Sequence, residues 1–152
     1  MVKLEDALQS NKFSSSQHKA GLNILYTAWW LKTKISRELK ELGLTHEQYN
    51  VMRILKGMHP EKMCVKEIGG RMIEQNSNVP RIVDKLVAKK LTSRTTSLAD
   101  KRETVINLTT SGINLLDNAN EQVEIIISKS IFITEADAKL LNSLLEAFRA
   151  KD

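Results

Sequence analysis

Residues 78–91 read NVPRIVDKLVAKKL, residues 92–109 read TSRTTSLADKRETVINLT, and residues 110–112 read TSG. The first stretch spaces Val79, Ile82, Val83 and Leu86 as one apolar helical surface and gathers Asn78, Arg81 and Lys85 on another side. The second holds two runs rich in β-branched residues, 92–97 and 103–108, around the charged turn Asp100-Lys101-Arg102. Thr109 then caps a helix reaching about Ser130. A helix followed at once by a hairpin tipped with two cations suits DNA. The helix fits a major groove while the hairpin reaches the neighbouring backbone or minor groove.

The start of that helix is argued from Pro80. Proline is harmless only among the unbonded N–H groups of a first turn. With Ser77 as N-cap, Pro80 is third in the helix, which runs to about Lys90. Upstream, residues 63–65 suggest a short strand leading into a helix over 66–73. Gly69 and Gly70 inside that helix cost roughly 1 kcal/mol each relative to alanine, which suggests a helix crossing closely there. Thr45-His46-Glu47-Gln48 has capping-box form, and Gly57 to Pro60 stops the helix it opens.

Residues 16–42 form a long helix with two apolar stripes. Ile24, Ala28, Leu31, Ile35, Leu39 and Leu42 make one; Leu22, Leu25, Tyr26 and Trp29 make the other. Thr134 opens a last helix whose Leu140, Leu141, Leu144, Leu145 and Phe148 form another stripe. Two faces on the first helix and one on the last exceed what a small chain covers alone, so a second copy is expected. Residues 1–14 read as a loose arm.

Charge is unevenly placed. Residues 62–108 hold ten Lys/Arg against five Asp/Glu, whereas residues 109–152 hold four against seven. The excess sits on the suspected helix and hairpin, which suits a polyanion partner. Cys64 is the only cysteine and reads as a buried, inert thiol, in keeping with a reducing compartment. His18, His46 and His59 share no metal-ligand spacing, and no Gly-rich phosphate loop, G-x-S-x-G or H-E-x-x-H is present. No enzyme, cofactor or metal is expected. Neither an export signal nor a membrane span is read, so a soluble, intracellular protein is expected.

These motifs resemble the MarR-type winged helix-turn-helix transcriptional regulators. GLTHEQYNVMRIL precedes the helix-turn-helix, VPRIVDKLVAKKL matches the recognition helix, and LADKRETVINLTTSG matches the wing and exit. Asp100-x-Arg102 followed by Leu108-Thr109-x-x-Gly112 is the most specific part. Two departures stand out: Lys90 where the family usually has glycine, and Pro80 where serine is frequent. The resemblance implies a mainly α fold with a small β-wing, in which long dimerisation helices flank the winged domain. The expected division is 1–42 for the arm and first dimerisation helix, 43–108 for the DNA-binding lobe, and 109–152 for the C-terminal dimerisation helices. It further implies a homodimer on a pseudo-palindromic operator, usually a repressor, whose grip on DNA a small ligand or an oxidant often loosens, in the bacterial cytoplasm at the nucleoid.

On this reading Arg81 forks onto a guanine edge, Asn78 pairs with an adenine edge, and Lys85 meets phosphate, with Val79 or Ile82 bordering the DNA. Arg102 enters the minor groove, Lys101 takes a backbone phosphate, and Asp100 orients Arg102 or Arg94. Arg94 joins the DNA-facing set, and Lys66 and Ser77, at helix starts, are candidate phosphate contacts. Tyr26, Trp29, Trp30 and Tyr49 either border a pocket for a small aromatic or amphipathic effector or pack in a core or dimer interface. A winged-helix module that binds protein instead of DNA is the rival, and it would present a hydrophobic or mixed recognition face.

Overall fold

The computed structural model describes residues 2–74, 78–97 and 103–149. Among these, the helices are α1 (Leu4–Leu8), α2 (Ser16–Glu41), α3 (His46–Met58), α4 (Val65–Arg71), α5 (Val79–Ala88), α6 (Thr110–Ser130) and α7 (Glu135–Phe148). The strands are β1 (Met63–Cys64), β2 (Thr92–Thr96) and β3 (Thr104–Leu108), in the antiparallel order β1-β3-β2. Helix α3 is the hub, touching α2, α4, α5, α6 and β3. Its start is the capping box expected: the Gln48 N–H donates to Thr45 Oγ1 and the Thr45 N–H to Gln48 Oε1.

One buried cluster joins Leu39 of α2, Met52 and Leu55 of α3, Ile68, Val83, Leu86, Ile106 and Leu116 of α6. The apolar side of α5 therefore faces inward, and its polar side is left outward. Thus Val79 is core and only Ile82, half-buried, stands near the outer face, which corrects the expectation that either could border DNA.

Two helix ends are built alike from different residues. After α2, the Leu44 N–H reaches the Leu39 carbonyl and the Gly43 N–H reaches Lys40, with Gly43 at φ +69°. After α5, the Leu91 N–H reaches Leu86 and the Lys90 N–H reaches Val87, with Lys90 at φ +59°. Both are Schellman ends, where glycine is the unstrained choice. Lysine in the second is the departure seen in the sequence; with residue 90 in the left-handed region, α5 ends at Ala88, not Lys90.

Downstream, the Thr109 N–H donates to the Leu91 carbonyl at 3.1 Å and its hydroxyl to the Lys90 carbonyl at 2.8 Å. Thr109 Oγ1 also accepts the Gly112 N–H at 3.0 Å. A Cβ on Gly112 would stand 2.0 Å from the Leu91 oxygen, so this glycine is required by the close approach. The expected crowding at Gly69 and Gly70 is not found. A Cβ at Gly69 would meet Val79 at an ordinary 3.6 Å and one at Gly70 would meet nothing within 4 Å.

Other boundaries shift for local reasons. Asn78, not Ser77, caps α5, because its Oδ1 accepts the Arg81 N–H at 3.3 Å; Pro80 is then second in the helix. Helix α4 starts at Val65 and stops at Arg71, with the Glu67 carboxylate accepting the Cys64 N–H at 2.8 Å. The arm is not wholly loose: α1 buries Leu4 and pairs Glu5 with Lys19 of α2. Helix α7, by contrast, buries none of its residues.

Candidate nucleic-acid interface

Helix α5 presents Arg81, Asp84 and Lys85 to solvent, three and four residues apart, over the buried Val79, Val83 and Leu86. Asn78 is also exposed, but its Oδ1 is engaged in capping, a task the sequence reading did not assign to it. Lys66 lies exposed in the first turn of α4. Beside α5, Arg94 stands on β2 with its Nη2 2.5 Å from Asp84 Oδ1. The carboxylate facing Arg94 thus comes from α5. On the neighbouring face of the same strand, Lys62 Nζ donates to Thr95 Oγ1 at 3.0 Å.

The structure therefore leaves Arg81 and Lys85 exposed on α5 and ties Arg94 of β2 to Asp84 of the same helix. Ser77, Asp100, Lys101 and Arg102 lie outside the described residues. Sequence reasoning missed Asp84 and Lys62. The position of Asp84, three after Arg81, was a usable signal; that of Lys62 depends on the packing of β1 against the hairpin.

The segment entering the recognition helix is tied to α2 and α3. Asn50 Oδ1 accepts the Ile73 N–H at 3.2 Å, and Lys32 of α2 pairs with Glu74. His46 sits beside them, half-buried. Burial and the Lys32 cation hold its imidazole pKa below the usual value, against the pull of Glu47 and Glu74. At the other end of α5, Lys89 Nζ donates to the Gly43 carbonyl and, at 3.0 Å, to Gln48 Oε1. Lys89 thus fastens the helix to the α2–α3 corner.

The four aromatics proposed for an effector pocket fall in three places. Tyr26 and Trp29 touch each other at 5.7 Å between centroids, and Trp29 is 61% exposed. Trp30 lies under the Lys34 ammonium, 4.4 Å from the ring centre. Tyr49 is buried, donates its hydroxyl to Asn120 Oδ1 of α6 at 2.8 Å, and has its phenol pKa raised chiefly by that burial. A cavity of about 380 Å³ does open between α2 and α6, lined by Lys34, Arg37, Ile125, Ile126 and Lys129 among others, but none of the four borders it.

Cys64 is buried at the start of α4. The Glu67 backbone N–H favours its thiolate, but burial and the Glu103 and Glu67 carboxylates outweigh this and push the thiol pKa up. Among the described residues no group of three or more His, Cys, Asp or Glu is placed to hold a metal ion. No helix among them is long and apolar enough to cross a membrane.

Residues 33–119 match the family described as transcriptional regulator SarA/Rot. The transcriptional regulator SarZ of Staphylococcus epidermidis is 28% identical over 123 residues, 78% of each chain. Two solved structures show the fold. CouR of Rhodococcus jostii, bound to p-coumaroyl-CoA, superposes with a TM-score of 0.76 at 19% identity, covering 92% of this chain and 98% of its own. MepR of Staphylococcus aureus, in complex with DNA, gives 0.73 at 20% identity, covering 93% and 100%. The architecture is the MarR-like winged helix that the sequence implied.

Proposed function

Because the chain belongs to the SarA/Rot family of transcriptional regulators, which are not enzymes, we propose that it binds operator DNA as a homodimer and acts as a repressor. The observation that carries this reading is the outward face of α5, where Arg81 and Lys85 are exposed and Asp84 holds Arg94 of β2, over the buried Val79, Val83 and Leu86. A protein-binding winged helix would instead present a hydrophobic or mixed face. Arg81 reads a base edge, Lys85, Lys66 and Arg94 meet phosphates, and Ser77, Lys101 and Arg102 extend the contact, with Asp100 steadying Arg102. Asn78 works mainly as a cap.

Dimerisation is supported by apolar surface left open within one chain. Leu25 and Trp29 on α2, Phe132 before α7, and Leu140, Leu141, Leu144 and Phe148 on α7 are all exposed. Two-fold symmetry then sets half-sites about one helical turn apart. A small aromatic or amphipathic effector relieves binding, supported by the CoA ester held by CouR and by the junction of Lys32, Asn50 and Glu74 beneath the recognition helix. The chain works in the cytoplasm, bound to the nucleoid.

The test is selection of bound fragments from a genomic duplex pool by purified protein, followed by Arg81→Ala on the selected site. Binding falls steeply with salt, and the variant loses roughly 1–3 kcal/mol and its discrimination at one base position per half-site. No enrichment over random duplex refutes the reading. Equal losses on specific and random DNA would show that Arg81 only positions the protein.

A further inference from the structure

An acidic side chain on a face meant for a polyanion calls for an explanation. Asp84 lies on the outward side of α5, between Arg81 and Lys85 in sequence, with its side chain 59% exposed. Left alone it would repel phosphate and weaken binding. It is not alone: Arg94 Nη2 stands 2.5 Å from its Oδ1.

The register of the sheet explains why the two meet. Arg94 lies opposite Ile106, which is fully buried, and directly opposed residues share a face of the sheet. Arg94 therefore rises from the helix-facing side of β2, toward α5, while Thr95 points to the other side and meets Lys62. The Arg94 side chain stays 39% exposed. A guanidinium has five N–H donors, so those not aimed at Asp84 remain for a phosphate.

We propose that Asp84 is a positioning residue for DNA binding: it holds the Arg94 guanidinium against the exposed side of α5 so that its remaining N–H groups meet the DNA backbone. This rests on the DNA-binding reading above and adds a residue to it. An exposed ion pair contributes little to folding. Its effect lies in binding, because a long side chain already ordered in the free protein loses less freedom when it meets phosphate.

The consequence is a sign opposite to simple electrostatics. Asp84→Asn makes the protein more basic, yet it weakens operator affinity, by roughly 3- to 10-fold, the scale of ordering one rotamer-rich side chain. Asp84→Glu, which keeps the carboxylate, binds within about twofold of wild type. Arg94→Gln weakens binding and lowers the salt slope by about 0.9, the share of one phosphate contact. In the Arg94→Gln background the sign reverses: with no arginine to hold, Asp84→Asn strengthens binding. That reversal is a coupling that a purely structural role would not produce.

Operator titrations of wild type, the three single variants and the double variant across salt, with thermal melts to confirm folding, make the test. Nitrogen-15 NMR of the DNA-free chain adds a readout independent of binding and of the asparagine variant's fold: the Arg94 Nη–H groups, held through Nη2, exchange slowly in wild type and Asp84→Glu. Fast exchange in both overturns the proposal. So does an Asp84→Asn variant that binds as tightly as wild type or tighter, or one whose effect is the same with and without Arg94. A wild-type chain that binds no duplex overturns this proposal and the DNA-binding reading together. A wild type that binds, with Asp84→Asn binding tighter, overturns the proposal alone.

Discussion

The winged lobe and the last helix both carry apolar stripes at helical spacing, yet they use them in opposite ways. In the lobe, Leu55, Ile68, Val83, Leu86 and Ile106 are buried to completion and helix ends are capped. In α7 the stripe Leu140, Leu141, Leu144 and Phe148 is open to solvent, and the helix buries none of its residues. A lone chain thus packs the winged lobe and leaves the α7 stripe uncovered. On the proposed reading a second copy covers it. Substitutions in the lobe should then act on folding, and substitutions in α7 on association.

The largest effect is expected at Gly112. An added Cβ meets the Leu91 oxygen at 2.0 Å, and the α6 start must move away from the turn after α5. Gly112→Ala should cost about 3 kcal/mol or more, a fall in Tm of roughly 6–12 °C read by calorimetry. Wild-type stability would show that the two segments separate freely, and would break the contrast at the lobe.

The α7 stripe sharpens the other half. Leu141→Asp with Leu144→Asp removes two apolar anchors, each worth about 1.5–3 kcal/mol on burial. The dimer should weaken at least about 100-fold in sedimentation, while the helical circular dichroism of the lobe is kept. Loss of the whole fold would mean that α7 supports its own chain.

A smaller effect, of opposite sign, comes from Lys90. It holds the left-handed position that Gly43 holds at the end of α2. Lys90→Gly should raise stability by about 0.5–1 kcal/mol in urea unfolding, as relief of a non-glycine residue at positive φ. A loss would mean that the lysine side chain offsets its backbone strain.

The smallest concerns His46. Its folded-state pKa is lowered by burial and by Lys32, so the unfolded chain holds more protons than the folded one as pH drops below about 6.5. Stability should decrease as the solution is acidified through that window, and His46→Gln should flatten this part of the slope in urea midpoints taken at several pH values. An unchanged slope would remove His46 from the junction beneath the recognition helix.

Features carried by adjacent residues were legible in the sequence. The Thr45–Gln48 box, the pairing of 92–96 with 104–108 and the Thr109 cap each announce themselves within four to seventeen positions. What depends on a second element was not. Asn78 and Ser77 are equally good caps on paper, and only the path of the backbone selects Asn78. Arg94 could have sought any nearby carboxylate; the sheet register turns it to Asp84. Gly112 and the Gly69–Gly70 pair look alike as letters, but only the first meets a carbonyl. The aromatics of α2 and α3 cluster along the chain and still end up apart, because Tyr49 turns to α6 while Trp29 turns to solvent.

The central claim is that two reading heads, joined through the end helices, grip one duplex. The most direct measurement is the mass of the complex by sedimentation, on the selected site and on the same site with about half a helical turn inserted between its halves. The account predicts two chains per duplex on the first and a sharp loss of affinity on the second. One chain per duplex, or equal affinity for both spacings, would contradict it.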